Sequence, residues 1–301
     1  MTTRRTFLKQ SSLLAGTAML PMQNLMAQIL GIDAGEMKTL RNNVGIYTER
    51  GGTIGWMIDK EGIIVIDTQF PEQATNFIGQ VKEKTDRKID LLINTHHHGD
   101  HSGGNIAFKG LVTQVVAHTN SKIHQERVAK ERGNEDQQLY PDTTYDTEWT
   151  KKIGGEIVKM HYFGAGHTGG DSLIHLENAN IVHMGDLLFN RLIPNIDAGA
   201  GASIISWIKL LKKAQKTFDK DTLFICGHAG EGYEVTGNLA TLKAKEIYLK
   251  TLMKYVKKEK KKGTTLEQLK AKPGLIPGAP DWTGDRFKNV NLEVAWNELG
   301  A

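Results

Sequence analysis

Hydrophobic and polar positions along the chain form blocks that predict strands and helices in alternation. Continuous apolar runs at residues 62–67 and 89–94 are typical of strands that are buried on both faces. The sequence between and after these strands predicts helices at residues 71–84, 120–132 and 203–218. Buried strands that alternate with helices predict a layered α/β fold.

Shorter patterns complete this prediction. The bend at residues 50–52 has the composition of a hairpin turn, and residues 104–108 and the chain from 238 onward are predicted as helix. Further strands are predicted at residues 44–49, 53–59, 112–117, 153–162, 173–176, 181–184 and 222–226. No internal repeat or low-complexity linker divides the chain, so we expect one domain over residues 28–301.

A short segment rich in histidine begins where the second buried strand ends, which is where sites lie in layered α/β proteins. His96 and His98 are two residues apart and project to the same side of an extended chain, and Gly99 then allows a turn toward Asp100 and His101. Four nitrogen and oxygen ligands are more than one tetrahedral ion takes from so short a loop. These ligand types suit zinc, and also iron or manganese.

Three residues further along the chain share a local pattern with this segment. His167, Asp186 and His228 each stand beside glycine and each follow a strand-like run. Taken singly, a histidine or aspartate in this setting orders a turn or caps a helix. Taken together with the histidine-rich segment, they predict one shared metal site at a single edge of the fold.

The first 27 residues have the order of regions that is typical of an export signal. Arg4 and Arg5 form a twin arginine, a moderately apolar stretch covers residues 11–22, and Ala27 offers a small residue for cleavage. The order resembles the twin-arginine signals of bacteria, and the stretch is too short for a stable membrane span. We therefore predict that residues 1–27 engage the twin-arginine export machinery and that the protein is periplasmic. The alternative is an amphipathic N-terminal helix of the domain.

Charge and cysteine content narrow the function further. The formal net charge is +4, and Arg4, Arg5 and Lys9 supply three of these charges, which leaves +1 for the remainder of the chain. A nearly neutral body gives no electrostatic reason to expect nucleic acid as a partner. Cys226 is the only cysteine, so a disulfide within the chain is excluded.

The histidine-rich segment resembles the H-x-H-x-D-H hallmark of the metallo-β-lactamase superfamily, and the resemblance extends from about residue 63 to residue 228. It implies an αβ/βα sandwich, which is an α/β fold with two central mixed sheets and helices on both outer faces. It also implies how the ligands are shared between two ions. The resemblance assigns His96, His98 and His167 to the first metal, Asp100, His101 and His228 to the second, and Asp186 to a bridge between them.

The bridging position separates branches of this superfamily. Its true β-lactamases typically have cysteine or serine there, whereas glyoxalase II-like and lactonase-like hydrolases have aspartate, as this chain does at Asp186. Cys226 falls outside that position, and we expect it to be a small buried residue on the last strand. We expect two zinc ions about 3.5–4 Å apart, acting on a bridging hydroxide that Asp100 helps to orient. The expected substrate is a small ester, lactone, thioester or amide.

Other functions stay open as alternatives. A β-lactamase with an unusual bridging residue is the first, and an iron-dependent oxidation of a sulfur substrate at one metal is the second. A metal-binding module without catalysis is the third. The complete set of seven ligands argues against the last two. The export signal and the near-neutral charge of the body disfavour a nuclease.

A few residues have weaker signals. Asn190 and Arg191 follow the bridging aspartate in a loop and are predicted to contact a polar or anionic substrate. Asp67, at the end of the first buried strand, is expected either to brace the metal loop or to cap a turn. His97 alternates with its ligand neighbours, so we expect it to lie behind the ligands or on the surface.

Overall fold

In the computed structural model, residues 35–300 are described, and they form two β-sheets with helices on their outer faces. The predicted signal at residues 1–27 and the predicted start of the domain at residue 28 lie outside the described residues. None of the helices in the described range has both the length and the apolar character needed to cross a bilayer.

The first sheet has seven strands that lie side by side in the order in which they occur along the chain. The first four strands pair antiparallel, and the last four pair parallel. The strands are β1 (Glu36–Arg41), β2 (Val44–Thr48), β3 (Ile54–Asp59), β4 (Gly62–Ile66), β5 (Leu91–Ile93), β6 (Val115–His118) and β7 (Thr143–Tyr145).

The second sheet has six strands in the order β15-β13-β11-β10-β9-β8, and a separate pair joins β12 and β14. The β11 and β13 strands pair parallel, and the other neighbours in this sheet pair antiparallel. The strands are β8 (Glu148–Ile153), β9 (Glu156–His161), β10 (Leu173–Leu176), β11 (Ile181–His183), β12 (Phe189–Asn190), β13 (Leu223–Ile225), β14 (His228–Ala229) and β15 (Thr236–Gly237).

Helices connect the strands and cover both sheets. The α-helices are α1 (Pro71–Lys84), α2 (Gly99–Ser102), α3 (Thr119–Arg132), α4 (Ile204–Thr217), α5 (Leu239–Lys261), α6 (Leu266–Lys270) and α7 (Lys288–Glu298). The shorter 3-10 helices are Gly103–Phe108, Glu135–Gln137, Gly185–Leu187 and Ala198–Ala200.

The alternation of side chains along β4 explains the layers. Ile63 and Val65 face outward and pack with Phe77 of α1, while Ile64 and Ile66 face inward. The inward residues belong to a core that both sheets share. A fully buried aliphatic side chain of this kind contributes about 1.5–3 kcal/mol to folding. Both faces of β4 are therefore apolar, and this is why its sequence is a continuous hydrophobic run.

Helices α4, α5 and α7 cover the outer face of the second sheet. Trp207 of α4 and Leu249 of α5 are fully buried in the same cluster as Val182 and Phe224 of the sheet. Cys226 belongs to this cluster as well, which confirms the expectation of a small buried residue. The order helix, sheet, sheet, helix is the αβ/βα sandwich that the resemblance implies.

Two local expectations differ from the structure. Residues 153–162 were predicted as one strand, but Gly154 and Gly155 turn the chain between β8 and β9. Gly154 has a φ of 56°, a conformation that glycine adopts without strain. The sequence on both sides of the two glycines is typical of strands, so the turn was not predicted. Residues 104–108 form a 3-10 helix in place of an α-helix.

Candidate metal centre

The seven predicted ligands meet at one end of the two sheets. The histidine-rich segment leaves β5 of the first sheet, and α2 carries its last two ligands. His167 lies in the loop between β9 and β10, Asp186 lies in the 3-10 turn after β11, and His228 begins β14. Both sheets therefore supply ligands to the same place.

The first group of ligand atoms surrounds the Nδ1 atom of His98. This atom lies 3.2 Å from Nε2 of His96 and 2.8 Å from Nε2 of His167. The Oδ2 atom of Asp186 lies 3.3 Å from His167 Nε2 and 3.9 Å from His96 Nε2. All four ligand atoms fall within 4.8 Å of one another, as atoms bound to a single ion do.

The second group lies beside the first. The Nε2 atoms of His101 and His228 are 3.3 Å apart. The Oδ2 atom of Asp100 lies 3.2 Å from Nε2 of His228. Asp186 faces this group with its other oxygen, Oδ1, at 3.0 Å from His101 Nε2 and 3.4 Å from His228 Nε2. One carboxylate thus presents one oxygen to each group.

The surroundings of Asp186 fit a bridging ligand. Its Oδ1 atom is buried and makes no hydrogen bond within the described residues, although two imidazole nitrogens lie near it. An ion held between these atoms would pair the buried oxygen and so offset the cost of leaving it without a partner. Gly227 allows this arrangement, because a Cβ atom there would lie 2.0 Å from Oδ1. The donor set of imidazole and carboxylate matches zinc.

Hydrogen bonds behind the ligands fix three of the imidazole rings. His101 donates from Nδ1 to Oδ2 of Asp67 at 2.7 Å, and Thr95 donates its backbone N–H and its hydroxyl to the same carboxylate. His96 Nδ1 lies 3.1 Å from the Thr95 hydroxyl. His167 donates from Nδ1 to the Asn195 carbonyl at 2.9 Å. Asp67 is therefore a brace, and its φ of 62° turns the chain toward the ligands.

His98 differs from the other ligands because its Nδ1 faces the ion position. Its Nε2 atom donates to Oδ2 of Asp197 at 2.9 Å. Sequence reasoning missed Asp197, which lies 99 residues away along the chain. No local spacing links the two residues, so only the three-dimensional fold reveals this brace.

The β2–β3 turn packs directly on the ligands. Gly52 donates its N–H to the Asp100 carbonyl at 3.0 Å. A Cβ atom at Gly52 would lie 2.2 Å from the imidazole ring of His101, so a side chain does not fit there. The turn thus supports the second ligand group from outside.

The two predicted substrate residues lie just beyond the centre. The side-chain amide of Asn190 donates a hydrogen bond to the backbone carbonyl of Glu234, so this amide is already used within the fold. Arg191 is half-buried, and its guanidinium carbon lies 6.0 Å from the centre of the Tyr233 ring. Arg191 has a φ of 60°, a strained conformation for a residue other than glycine. Of the two, Arg191 has the freer side chain.

Charge at the centre follows from burial and from close neighbours. Burial opposes ionisation of Asp186, but His228, His101 and His167 outweigh it and hold the pKa of Asp186 well below its usual range. Burial lowers the pKa of His167 to about 3, so its imidazole is neutral, as a metal ligand must be.

The sequence is similar to those of known proteins. The family model described as the metallo-beta-lactamase superfamily matches residues 47–228. The chain is 22% identical over 202 residues to a metallo-beta-lactamase type 2 of Elizabethkingia meningoseptica, covering 64% of this chain and 78% of that protein. It is 25% identical over 232 residues to a hydroxyacylglutathione hydrolase of Prochlorococcus marinus (strain MIT 9301), covering 74% and 83%.

A solved structure supports the fold. The metallo-beta-lactamase from Pontibacter korlensis superposes with a TM-score of 0.59 at 23% identity, covering 72% of this chain and 99% of that one. The family match spans more than half of the sequence and includes every residue of the two ligand groups. The chain belongs to the metallo-beta-lactamase superfamily, a family of metal-dependent hydrolases.

Proposed function

We propose that the protein is a dinuclear zinc hydrolase that cleaves a small ester, lactone, thioester or amide. The observation that carries this proposal is the placement of Asp186, whose two oxygens face two separate ligand groups. Such a carboxylate suits a bridge between two ions. Iron or manganese would suit the same nitrogen and oxygen donors.

The residues of the chain have distinct tasks in this reaction. Two zinc ions, when bound, supply Lewis acidity and make a water acidic enough to attack at neutral pH. The Asp100 carboxylate is about one-third exposed and stands at the open side of the centre. It accepts a hydrogen bond from the attacking water and orients it toward the substrate carbonyl. The Asp67 and Asp197 carboxylates hold the ligand imidazoles in place during turnover.

Two kinds of relative suggest two substrate classes. The hydroxyacylglutathione hydrolase supports a thioester, and the metallo-beta-lactamases support the alternative of β-lactam hydrolysis. Aspartate at position 186 favours the first class, because the cysteine of a typical β-lactamase site is absent from the ligand groups. Arg191 is a candidate contact for an anionic group of either substrate.

The test is metal analysis of the purified protein together with a panel of lactone, thioester, ester and cephalosporin substrates. We expect two zinc ions per chain and turnover of at least one non-β-lactam substrate. Efficient hydrolysis of the cephalosporin alone would favour the alternative function. One metal per chain with no hydrolysis of any substrate would contradict the proposal.

We also propose that residues 1–27 direct export through the twin-arginine pathway to the periplasm. The sequence order of twin arginine, apolar stretch and small residue supports this. Replacing Arg4 and Arg5 with lysine should retain the precursor in the cytoplasm, as measured by fractionation. The matched change Lys9→Arg keeps the same charge and should leave export intact. Export of the double-lysine variant at the normal level would reject the proposal.

A further inference from the structure

A fully buried histidine, His183, lies at the end of β11 and belongs to neither ligand group. Both of its ring nitrogens make hydrogen bonds to the backbone. The Nδ1 atom accepts the Gly185 N–H at 3.1 Å, and the Nε2 atom donates to the Thr53 carbonyl at 3.0 Å. The imidazole therefore joins the turn that carries Asp186 to the β2–β3 turn.

The surroundings of His183 fix one tautomer and one position of its ring. Because an N–H donates to Nδ1, the ring proton lies on Nε2, where the Thr53 carbonyl accepts it. Burial lowers the pKa of His183, so the ring is neutral and Nδ1 keeps its lone pair. Gly55 leaves the space for the ring, since a Cβ atom there would lie 2.8 Å from Cδ2 of His183.

Further hydrogen bonds extend this link to the residue before His228. The backbone N–H and the hydroxyl of Thr53 both donate to the Gly227 carbonyl, at 2.9 and 3.1 Å. The Gly227 N–H in turn donates to the Gly185 carbonyl at 2.8 Å. His183, Thr53, Gly227 and Gly185 thus form a closed circle of hydrogen bonds, which we call the His183 network.

The His183 network reaches the second ligand group more than the first. Three of the side chains that face the second ion position are next to it, namely Asp186 after Gly185, His228 after Gly227, and Asp100, whose carbonyl accepts the N–H of Gly52 beside Thr53. Of the first group it reaches Asp186 alone. The three histidines of that group are held by other contacts.

We propose that His183 is a positioning residue for the second metal ion, acting through the His183 network on Asp186, His228 and Asp100. It holds no ion itself, but it keeps ligands from separate loops at matching distances. Contacts behind metal ligands typically change metal affinity by about 10- to 100-fold. This inference rests on the proposed function for its two-metal centre, whereas its test follows zinc binding and does not depend on catalysis.

The experiment follows the zinc that the intact protein retains as a chromogenic chelator is added, with circular dichroism of each variant. We expect two ions in the wild type, and the ion lost in His228→Ala identifies the second one. His183→Leu should weaken the second ion at least tenfold and the first less than about threefold. His175→Leu removes a histidine of the neighbouring strand outside the network, and it should retain both ions like the wild type.

Two amide variants separate the two hydrogen bonds of the ring. His183→Asn keeps an acceptor near the position of Nδ1 for the Gly185 N–H, and His183→Gln keeps a donor near the position of Nε2 for the Thr53 carbonyl. Each should bind the second ion more tightly than His183→Leu but at least about threefold more weakly than the wild type. If His183→Leu does not fold, the comparison of these variants with the wild type decides.

The outcomes separate this inference from the proposed function. A folded His183→Leu that binds both ions like the wild type, or that weakens both equally, overturns the inference. If His183→Leu is unfolded, wild-type affinity for the second ion in both amide variants overturns it. A wild type that binds two ions but hydrolyses no substrate contradicts the proposed function alone, and a weakened second ion in His183→Leu still supports the role of His183. A wild type that binds one ion overturns both.

Discussion

At the scale of single residues, the ligands differ in which ring nitrogen faces the ion position. His98 presents Nδ1 and gives Nε2 to Asp197, whereas His101 and His167 present Nε2 and give Nδ1 to an acceptor behind them. Each acceptor selects one tautomer, so each ring is prepared before an ion arrives.

Replacing the bridging carboxylate tests whether the two ligand groups form one centre. Asp186→Asn keeps the volume of the side chain but removes the charge that both groups face. We expect the metal content to fall in both groups, measured by metal analysis after dialysis. The control Asp221→Asn changes an exposed carboxylate and should keep the full content. Two ions retained in Asp186→Asn would show that this residue does not bridge.

The close approach of Gly52 to His101 gives a second test. A Cβ atom in Gly52→Ala would overlap the imidazole, so the turn or the ring must shift. Overpacking of this kind costs about 1–3 kcal/mol, and we expect a lower melting temperature and at least tenfold weaker zinc affinity. Gly155→Ala is the matched control, because this exposed glycine lies away from the ligands and its added Cβ would meet no atom within 4 Å beyond its chain neighbours. Equal behaviour of the two variants would argue against this support.

Sequence patterns predicted ligand types well and their supports poorly. The spacing from His96 to His101 predicted four candidate ligands that the structure brings together, because a short loop constrains which atoms meet. Asp197 left no such pattern, and the acceptor for His167 is a backbone carbonyl, which every residue has. Contacts that depend on a distant backbone cannot be predicted from local spacing.

At the scale of elements, the long helices were predicted more closely than the edge strands, because β1 and β7 of the first sheet were not predicted. Residues 71–84 were predicted as helix and form α1 with the same bounds. The chain from residue 238 onward was predicted as helix, and α5 begins at Leu239. The prediction did not include the burial of Lys245, which lies among the rings of Phe189, Trp207, Tyr248 and Trp282. Composition does not reveal which lysine of a helix faces the core.

Glu246 of α5 should make stability depend on pH in acid. Burial opposes its ionisation, but hydrogen bonds from Lys250, Gln215 and Lys243 outweigh this and lower its pKa to about 2. A carboxyl with a lowered pKa stabilises the fold above its unfolded pKa of 4.5, and that stability is lost as the pH falls from 4.5 toward 2.

Glu246→Gln removes this contribution. We expect it to lower the free energy of unfolding by about 1–2 kcal/mol at pH 7 and to bring the variant close to the wild type near pH 2. Denaturant unfolding at pH 7, 4.5 and 3 measures both effects. Glu231→Gln, at an exposed carboxylate, should follow the wild type throughout. A difference that stays constant with pH would contradict this account.

At the scale of the whole molecule, the metal centre joins the two sheets. Each ligand group takes residues from the segment after β5 of the first sheet and from loops of the second. The shared core also holds the sheets together, so the fold does not depend on metal alone. Bound ions should nevertheless add stability, because the unfolded chain cannot keep these ligands together.

Removing metal should therefore lower the melting temperature. A free zinc concentration of 100 times the dissociation constant adds about 2.7 kcal/mol to the free energy of unfolding. We expect the melting temperature to fall on chelation and to recover when zinc is restored, measured by calorimetry. Asp186→Asn should respond much less to either treatment. If the melting temperature of the wild type were the same with and without the chelator, the ions would not join the sheets.

The contact between His101 and His228 can form only after a delay during synthesis. These residues meet in space but are 127 positions apart in sequence. At 5–20 residues per second, roughly 6–25 seconds separate their emergence from the ribosome. During that interval the histidine-rich segment lacks His228, and we expect it to bind available ions with little selectivity, because affinity alone discriminates poorly between metals. We therefore expect the compartment in which His228 folds onto His101 to decide which ion the finished protein carries.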